Sequence, residues 1–360
     1  MTYKVLTVCH LAGFITKEKN VVPFILNSLE AQEAIIGGQA TGLAVLANST
    51  VRLAKTIGPV RDFRDQNKEL PVASIGIGHT RYALKNLLYA ETNSTEKSHP
   101  FWDSKKQFVT MHNGTITNYQ LFVHELEKKG YSFRSKSSYR NENDEEVVDY
   151  CDSEIFSFLL EEALKAGTTI KTAIREICRQ FEGQFAFVIL HPAYPETIFI
   201  ANWAQPLFIG TNTESSFFTS FLEGFEPVEQ ILNRKFAPQK NALITLTPGK
   251  AVIETLLPER SPPAYEPEGV AFEALILKAL RENHNDLGRI YYYFKTAYNE
   301  LGLSEEQLTA LDKQGFTFSP LIYATLQRLE QQGIIYRKKE LVWEGGVSHT
   351  PRFRFYLKEG

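Results

Sequence analysis

The strongest constraint on the fold lies where the chain runs apolar without a break. Gln184-Phe185-Ala186-Phe187-Val188-Ile189-Leu190 and Thr197-Ile198-Phe199-Ile200-Ala201-Asn202 are too continuous for a strand that is half in water, and read as strands of a covered sheet. What covers them stands just upstream. Ser153 to Lys165 and Ile170 to Phe181 have helical spacing, with Asp152 in the N-cap place of the first. Strands under helices make an α+β architecture built in layers.

Nearer the N-terminus, Val5 to Ile15 is a β-rich apolar run with one thiol, Cys9, in its middle. Val21 to Glu33 is spaced as an amphipathic helix, closed by Gly37-Gly38. Thr41 to Ala47 and Val51 to Lys55 flank Asn48-Ser49-Thr50 as a hairpin, and Val72 to Tyr82 is a further strand. Phe108 to His112 is a strand expected to break at the turn pair Asn113-Gly114. Tyr119 to Lys129 is a helix with Gly130 beyond its end, and the acidic stretch Ser135 to Asp149 reads as a solvated loop.

Four prolines between Pro258 and Pro267 are too stiff and donor-poor for a core element. They divide the chain into residues 1–257, a linker at 258–268, and residues 269–360. The last part is mostly helical: Val270 to Glu282, Asp286 to Leu301, a helix opened by the Ser304/Gln307 capping box, and one opened by Ser319-Pro320 that runs to Gln332. Ile334 to Trp343 and Arg352 to Lys358 then form two strands about Gly345-Gly346. Helices followed by a hairpin are the outline of a winged helix.

Composition narrows the function. With 43% apolar residues the chain supports real cores, and a formal net charge of −3 provides no global field toward nucleic acid or a membrane. No apolar run nears the roughly 18 residues of a membrane span. Three scattered cysteines, Cys9, Cys151 and Cys178, fit neither a disulfide framework nor a zinc site, and point to the cytoplasm. Leu6-Thr7-Val8-Cys9 has the outline of a lipoprotein cleavage box, but its apolar lead is short and Val8 stands where a small residue belongs. No metal or cofactor is expected.

Cys9-x3-Gly13, Gly78-His79-Thr80-Arg81-Tyr82-Ala83, His112-Asn113-Gly114-x-Ile116-x-Asn118-Tyr119 and Asp152-Ser153-Glu154 occur in this order. Together they resemble the class II glutamine amidotransferases, which are N-terminal-nucleophile (Ntn) hydrolases. Glu182 to Ile189 and Gln205 to Gly210 resemble later strands of that domain, so the likeness covers about residues 9 to 255. It implies a four-layer αββα sandwich, followed here by the winged-helix-like part, and hydrolysis of L-glutamine to glutamate and ammonia.

By that resemblance Cys9 is the nucleophile, activated by its own α-amino group. Asn113 and Gly114 supply donors to the oxyanion. Arg81 takes the α-carboxylate of glutamine and Asp152 its α-ammonium.

The family's nucleophile is the first residue of the mature enzyme, whereas Met1 to Val8 precede Cys9; activity thus requires that they leave as a propeptide. Retained, they imply instead a glutamine-binding regulatory or scaffold protein. Cys9-His10 replaces the family's Cys-Gly, Leu84-Lys85 replaces Thr-His, and Asn93 to Pro100 matches Asn-Ala-His-Pro-His only in part.

The tail matches no synthase domain, so ammonia is expected to pass to a separate protein. Two readings of the tail compete. From Arg328 onward seven Lys/Arg face four Asp/Glu, with Arg337, Lys338, Lys339, Arg352 and Arg354 around the wing, which suits DNA. Protein docking or dimerisation is favoured, because Pro320 to Gln332 is poor in base-reading side chains and Tyr291-Tyr292-Tyr293-Phe294 offers a contact.

Overall fold

The computed structural model describes residues 9–83, 93–140 and 143–358. Met1 to Val8, the start of the first expected strand, and the Leu84-Lys85 departure lie outside the described residues. The chain runs β1 (His10–Thr16), α1 (Val22–Glu33), β2 (Ala40–Ala47), β3 (Thr50–Ile57), α2 (Val60–Gln66), β4 (Ile75–Arg81), β5 (Phe101–Trp102) and β6 (Val109–Ile116). It continues through α3 (Tyr119–Lys128), β7 (Ser137–Arg140), β8 (Glu146–Asp149), α4 (Glu154–Lys165), α5 (Ile170–Gln180), β9 (Gly183–Leu190), β10 (Ile198–Trp203), β11 (Phe208–Thr211), β12 (Ser215–Thr219), β13 (Arg234–Phe236), β14 (Asn241–Thr247) and β15 (Lys250–Thr255). After residues 258–268, which form neither helix nor strand, come α6 (Gly269–Arg281), α7 (Leu287–Thr296), α8 (Glu305–Gln314), α9 (Ser319–Gln331), β16 (Ile335–Glu344) and β17 (Val347–Leu357).

Two sheets stack face to face. One has the strand order β13-β11-β12-β1-β4-β2-β3, the other β15-β14-β10-β9-β6-β5. Side-chain alternation explains the layering. On β9, Ala186, Val188 and Leu190 enter the core between the sheets, where Leu11, Ile77 and Met111 meet them. The alternate residues Phe185, Phe187 and Ile189 face α3, α4 and α5. Ala12 and Phe14 of β1 turn outward against Ile25 and Leu29 of α1. The result is helices, sheet, sheet, helices, the expected αββα order.

Several expectations are corrected. Asn113-Gly114 makes no turn: β6 continues to Ile116, with Asn113 opposite Ala186 and Gly114 opposite Phe185. Continued pairing with β9 overrides the local turn preference, and Gly114 serves as the residue with φ +129° whose missing Cβ would lie 2.1 Å from the Gln184 carbonyl oxygen. Asp152 does not cap α4; its Oδ2 accepts the Ile116 N–H at 2.8 Å. Ser319 lies inside α9 rather than before it, and Phe318 is the N-cap. The acidic stretch, read as a loop, holds the β7–β8 hairpin, and the Asp286 to Leu301 helix stops at Thr296, with Asp286 as its cap.

Residues 269–358 follow the outline of helices and then a hairpin, and the Ser304/Gln307 capping box forms as expected. They pack closely on what precedes them. Ile35, Ile36, Tyr82 and Phe221 join the core of α6, α7 and α9, and Trp203 donates its indole N–H to the Gln314 carbonyl at 2.9 Å. Tyr291, Tyr293 and Phe294 are buried in that core, so they form no outward contact strip. Arg352 and Arg354 are buried as well; Arg352 pairs with Glu344 and Arg354 with Asp286. Neither is available to phosphates.

Candidate active site

Three rows of side chains that fill the space between the sheets end at one place. Leu11 and Ile15 on β1, Ile75 and Ile77 on β4, and Val109 and Met111 on β6 all belong to that core. Residues two apart share a strand face, so Cys9, Arg81 and Asn113 extend these rows to their polar end. Two facing sheets thus bring together residues 104 apart in sequence: the Cys9 N–H donates to Asn113 Oδ1 at 2.9 Å.

Tyr82 brackets the thiol. Its N–H donates to Cys9 Sγ at 3.3 Å, and Sγ donates to its carbonyl at 3.4 Å. Burial pushes the Cys9 thiol up to about 12, against the Tyr82 hydrogen bond and the charge of Arg81, which act to lower it. A fully buried thiol of this kind does not ionise unaided. On the other side of the contact, Asn113 Nδ2 is buried with no hydrogen-bond partner among the described residues. An unmet buried donor beside a thiol is a costly feature unless a ligand oxygen completes it.

Arg81 is 6% exposed, and its Nη1 donates to Asn93 Oδ1. Asp152 keeps Oδ1 on the Ser153 hydroxyl at 3.2 Å and 3.9 Å from His112 Nδ1. Its charge reaches Cys9 and opposes ionisation of the thiol. The structure therefore joins Cys9 to Asn113 directly, sets Gly114 next to Asn113 in β6, places Arg81 next to the thiol-bracketing Tyr82, and anchors Asp152 to the end of β6.

Sequence reasoning passed over the polar shell. His79, His99 and His112 are buried, with ring centroids 4.0 Å apart for His79 and His99 and 6.4 Å for His99 and His112. Burial holds all three below the usual histidine range, so they are neutral. Asn93 was also missed as a partner of Arg81; the partial match at Asn93 to Pro100 was the one available signal. Among the described residues no group of three or more His, Cys, Asp or Glu is arranged to hold a metal ion. No helix is long and apolar enough to cross a membrane among those residues.

This layering is the αββα fold expected of an Ntn hydrolase. The solved glutamine phosphoribosylpyrophosphate amidotransferase from B. subtilis, complexed with ADP and GMP, superposes with a TM-score of 0.55 at 18% identity, covering 70% of this chain and 50% of that one. A structure described as the allosteric regulatory enzyme of purine biosynthesis gives 0.56 at 17% identity, covering 76% and 58%. Residues 85–227 match the family described as "Glutamine amidotransferase domain". Glutamine–fructose-6-phosphate aminotransferase (isomerizing) of Helicobacter pylori is 30% identical over 223 residues, 61% of this chain and 33% of that protein. The enzyme of the same description from Pyrococcus horikoshii is 30% identical over 221 residues, 60% of this chain and 33% of that protein. Residues 85–227 are thus similar to a glutamine amidotransferase domain, and the likeness to these relatives extends over 60–61% of this chain. The chain spans about a third of the length of these curated relatives.

Proposed function

We propose that the protein hydrolyses L-glutamine to glutamate and ammonia through a thioester on Cys9, and that the ammonia passes to a separate synthase partner. The observation that carries this is the amide of Asn113, with Oδ1 on the Cys9 nitrogen at 2.9 Å and Nδ2 buried without a partner. Removal of Met1 to Val8 turns that nitrogen into an amine with an ordinary pKa near 7.7–8.0. The amine takes the thiol proton as Sγ attacks the carboxamide carbon, then gives it to the departing ammonia. Asn113 Nδ2 and the Gly114 N–H receive the oxyanion. Water then attacks the thioester, releasing glutamate and restoring the thiol. Arg81 holds the α-carboxylate as a fork, and Asp152 the α-ammonium.

The test is the intact mass and first residue of the purified protein, read with an ammonia-release assay. A chain beginning at Cys9 that releases ammonia, together with a Cys9→Ala variant that binds glutamine but does not hydrolyse it, is the expected outcome. Undiminished hydrolysis in Cys9→Ala sinks the nucleophile assignment.

One observation favours a second reading. With the leader retained, the Cys9 nitrogen is a peptide amide and the thiol stays near 12, so the site would bind glutamine without turnover as a regulatory module. For the C-terminal part, docking of a protein or a second copy is preferred over DNA, since burial of Arg352 and Arg354 leaves Arg337, Lys338 and Lys339 as the wing's remaining cations. The exposed Leu341 and Trp343 on β16 replace the Tyr291 to Phe294 strip as the surface for it. A cytoplasmic setting suits three free cysteines.

A further inference from the structure

The β16–β17 hairpin reaches the glutamine site from 252 residues away in sequence. Asn93 Nδ2 donates to the Gly345 carbonyl and to the Gln39 carbonyl, both at 3.2 Å. These two acceptors fix which way the amide points: turned over, its oxygen would face two carbonyl oxygens. Only in the observed orientation does Asn93 Oδ1 meet Arg81 Nη1. A backbone carbonyl of the C-terminal hairpin thus helps to fix the amide that Arg81 meets.

The hairpin turn is held in its turn by a buried ion pair. Glu344 and Arg352 are 4% and 1% exposed, and Arg352 Nε donates to Glu344 Oε1 at 3.2 Å. Arg352 also donates to the Glu33 and Gly37 carbonyls at 3.3 and 2.9 Å, at the exit of α1. From there the path returns to β4, because the Gly38 N–H donates to Thr80 Oγ1 at 2.8 Å, next to Arg81. The same guanidinium lies 5.2 Å from the ring centre of Tyr82, the residue whose backbone brackets the Cys9 thiol. Tyr82 is itself sealed into the C-terminal core, where a Cβ at Gly288 would sit 2.1 Å from its hydroxyl.

We propose that the C-terminal hairpin is a working part of the glutamine site: Gly345, Glu344 and Arg352 are positioning residues that, through Asn93, aim the Arg81 fork at the α-carboxylate. The proposal rests on Arg81 as the carboxylate partner. It gives the C-terminal part a role in substrate affinity besides any docking, and it gives a function to a guanidinium that is buried at this junction with Glu344 as its ion-pair partner.

Glutamine binding is measured by calorimetry on the full chain in a Cys9→Ala background, alongside 4-aminobutanamide, which is glutamine without its carboxylate. Asn93→Leu and Arg352→Lys are compared with the parent, with near-ultraviolet circular dichroism as the folding check. Each variant is expected to weaken glutamine by about tenfold, the scale of losing one charge-assisted contact, and to leave 4-aminobutanamide within about twofold. A merely structural role would weaken both ligands alike, and that result overturns the proposal. So does unchanged glutamine affinity in both variants. If Arg352→Lys fails to fold, Asn93→Leu decides alone, since it alters a loop side chain outside the ion pair. A parent that binds no glutamine overturns the site reading and the hairpin role with it, whereas a binding parent with unaffected variants overturns only the hairpin role.

Discussion

Asn113→Asp separates two tasks that the proposed mechanism gives to one side chain. Oδ1 accepts the Cys9 N–H at 2.9 Å, while Nδ2 is the buried donor without a partner. Aspartate keeps the first oxygen and replaces the donor by a second acceptor, with almost no change in volume. Losing one preorganised oxyanion donor costs about 10²–10³ in kcat, or roughly 2.7–4 kcal/mol. Because the donor acts on charge that exists only in the transition state, KM for glutamine should change little. Asn113 is 1% exposed, so a carboxylate there also repels the developing oxyanion, and the loss should sit at the upper end of that range. The assay is ammonia release at saturating glutamine by protein that begins at Cys9, with thermal unfolding followed in parallel. Asn113→Ala, which removes the acceptor of the Cys9 nitrogen as well, should lose at least as much. A folded Asn113→Asp protein that keeps kcat within about threefold of the parent would refute the oxyanion reasoning.

Three further outcomes are expected. Gly114→Ala forces a side chain to φ +129° and within 2.1 Å of the Gln184 oxygen; denaturant titration should show roughly 3 kcal/mol or more of lost stability, and a loss under about 1 kcal/mol would contradict the close approach. Arg81→Lys replaces a fork by a point charge and should raise the glutamine dissociation constant about tenfold without altering the fold; unchanged affinity counts against the carboxylate role. Burial raises the Glu33 carboxyl to about 7, despite the Val60 N–H that its Oε2 accepts. The folded chain then holds a proton that the unfolded chain releases above about 4.5, so stability falls as pH rises from about 4.5 to 7, by something on the order of 3 kcal/mol. Glu33→Gln should flatten that part of the stability profile, and an identical slope in the variant would show that another group sets it.

Several elements were legible because their signals are local. The uninterrupted strands β9 and β10, the α1 helix, the β2–β3 hairpin and the Ser304/Gln307 capping box depend on residues within a few positions of one another, and each formed as read. Asn113-Gly114 misled for the same reason: as a dipeptide it favours a turn, and only the neighbouring β9, some seventy residues later, keeps β6 extended through it. Asp152 has the composition of a helix cap but spends its oxygen on the end of β6. Arg352 and Arg354 count as surface cations in a charge sum, yet Glu344 and Asp286 draw them inside.

The amino-acid sequence by itself determined that helices cover strands, through apolar periodicity, while the layer order and the residue types of the candidate site came from the resemblance that its ordered motifs carry. Tertiary structure alone decided what each polar group does. Whether Asn113 faces Cys9 depends on two sheets stacking in register, and whether Asn93 points its oxygen at Arg81 depends on a carbonyl 252 residues away. Hydrogen bonds are short-ranged and directional, so their partners are set by distances that only the folded chain creates.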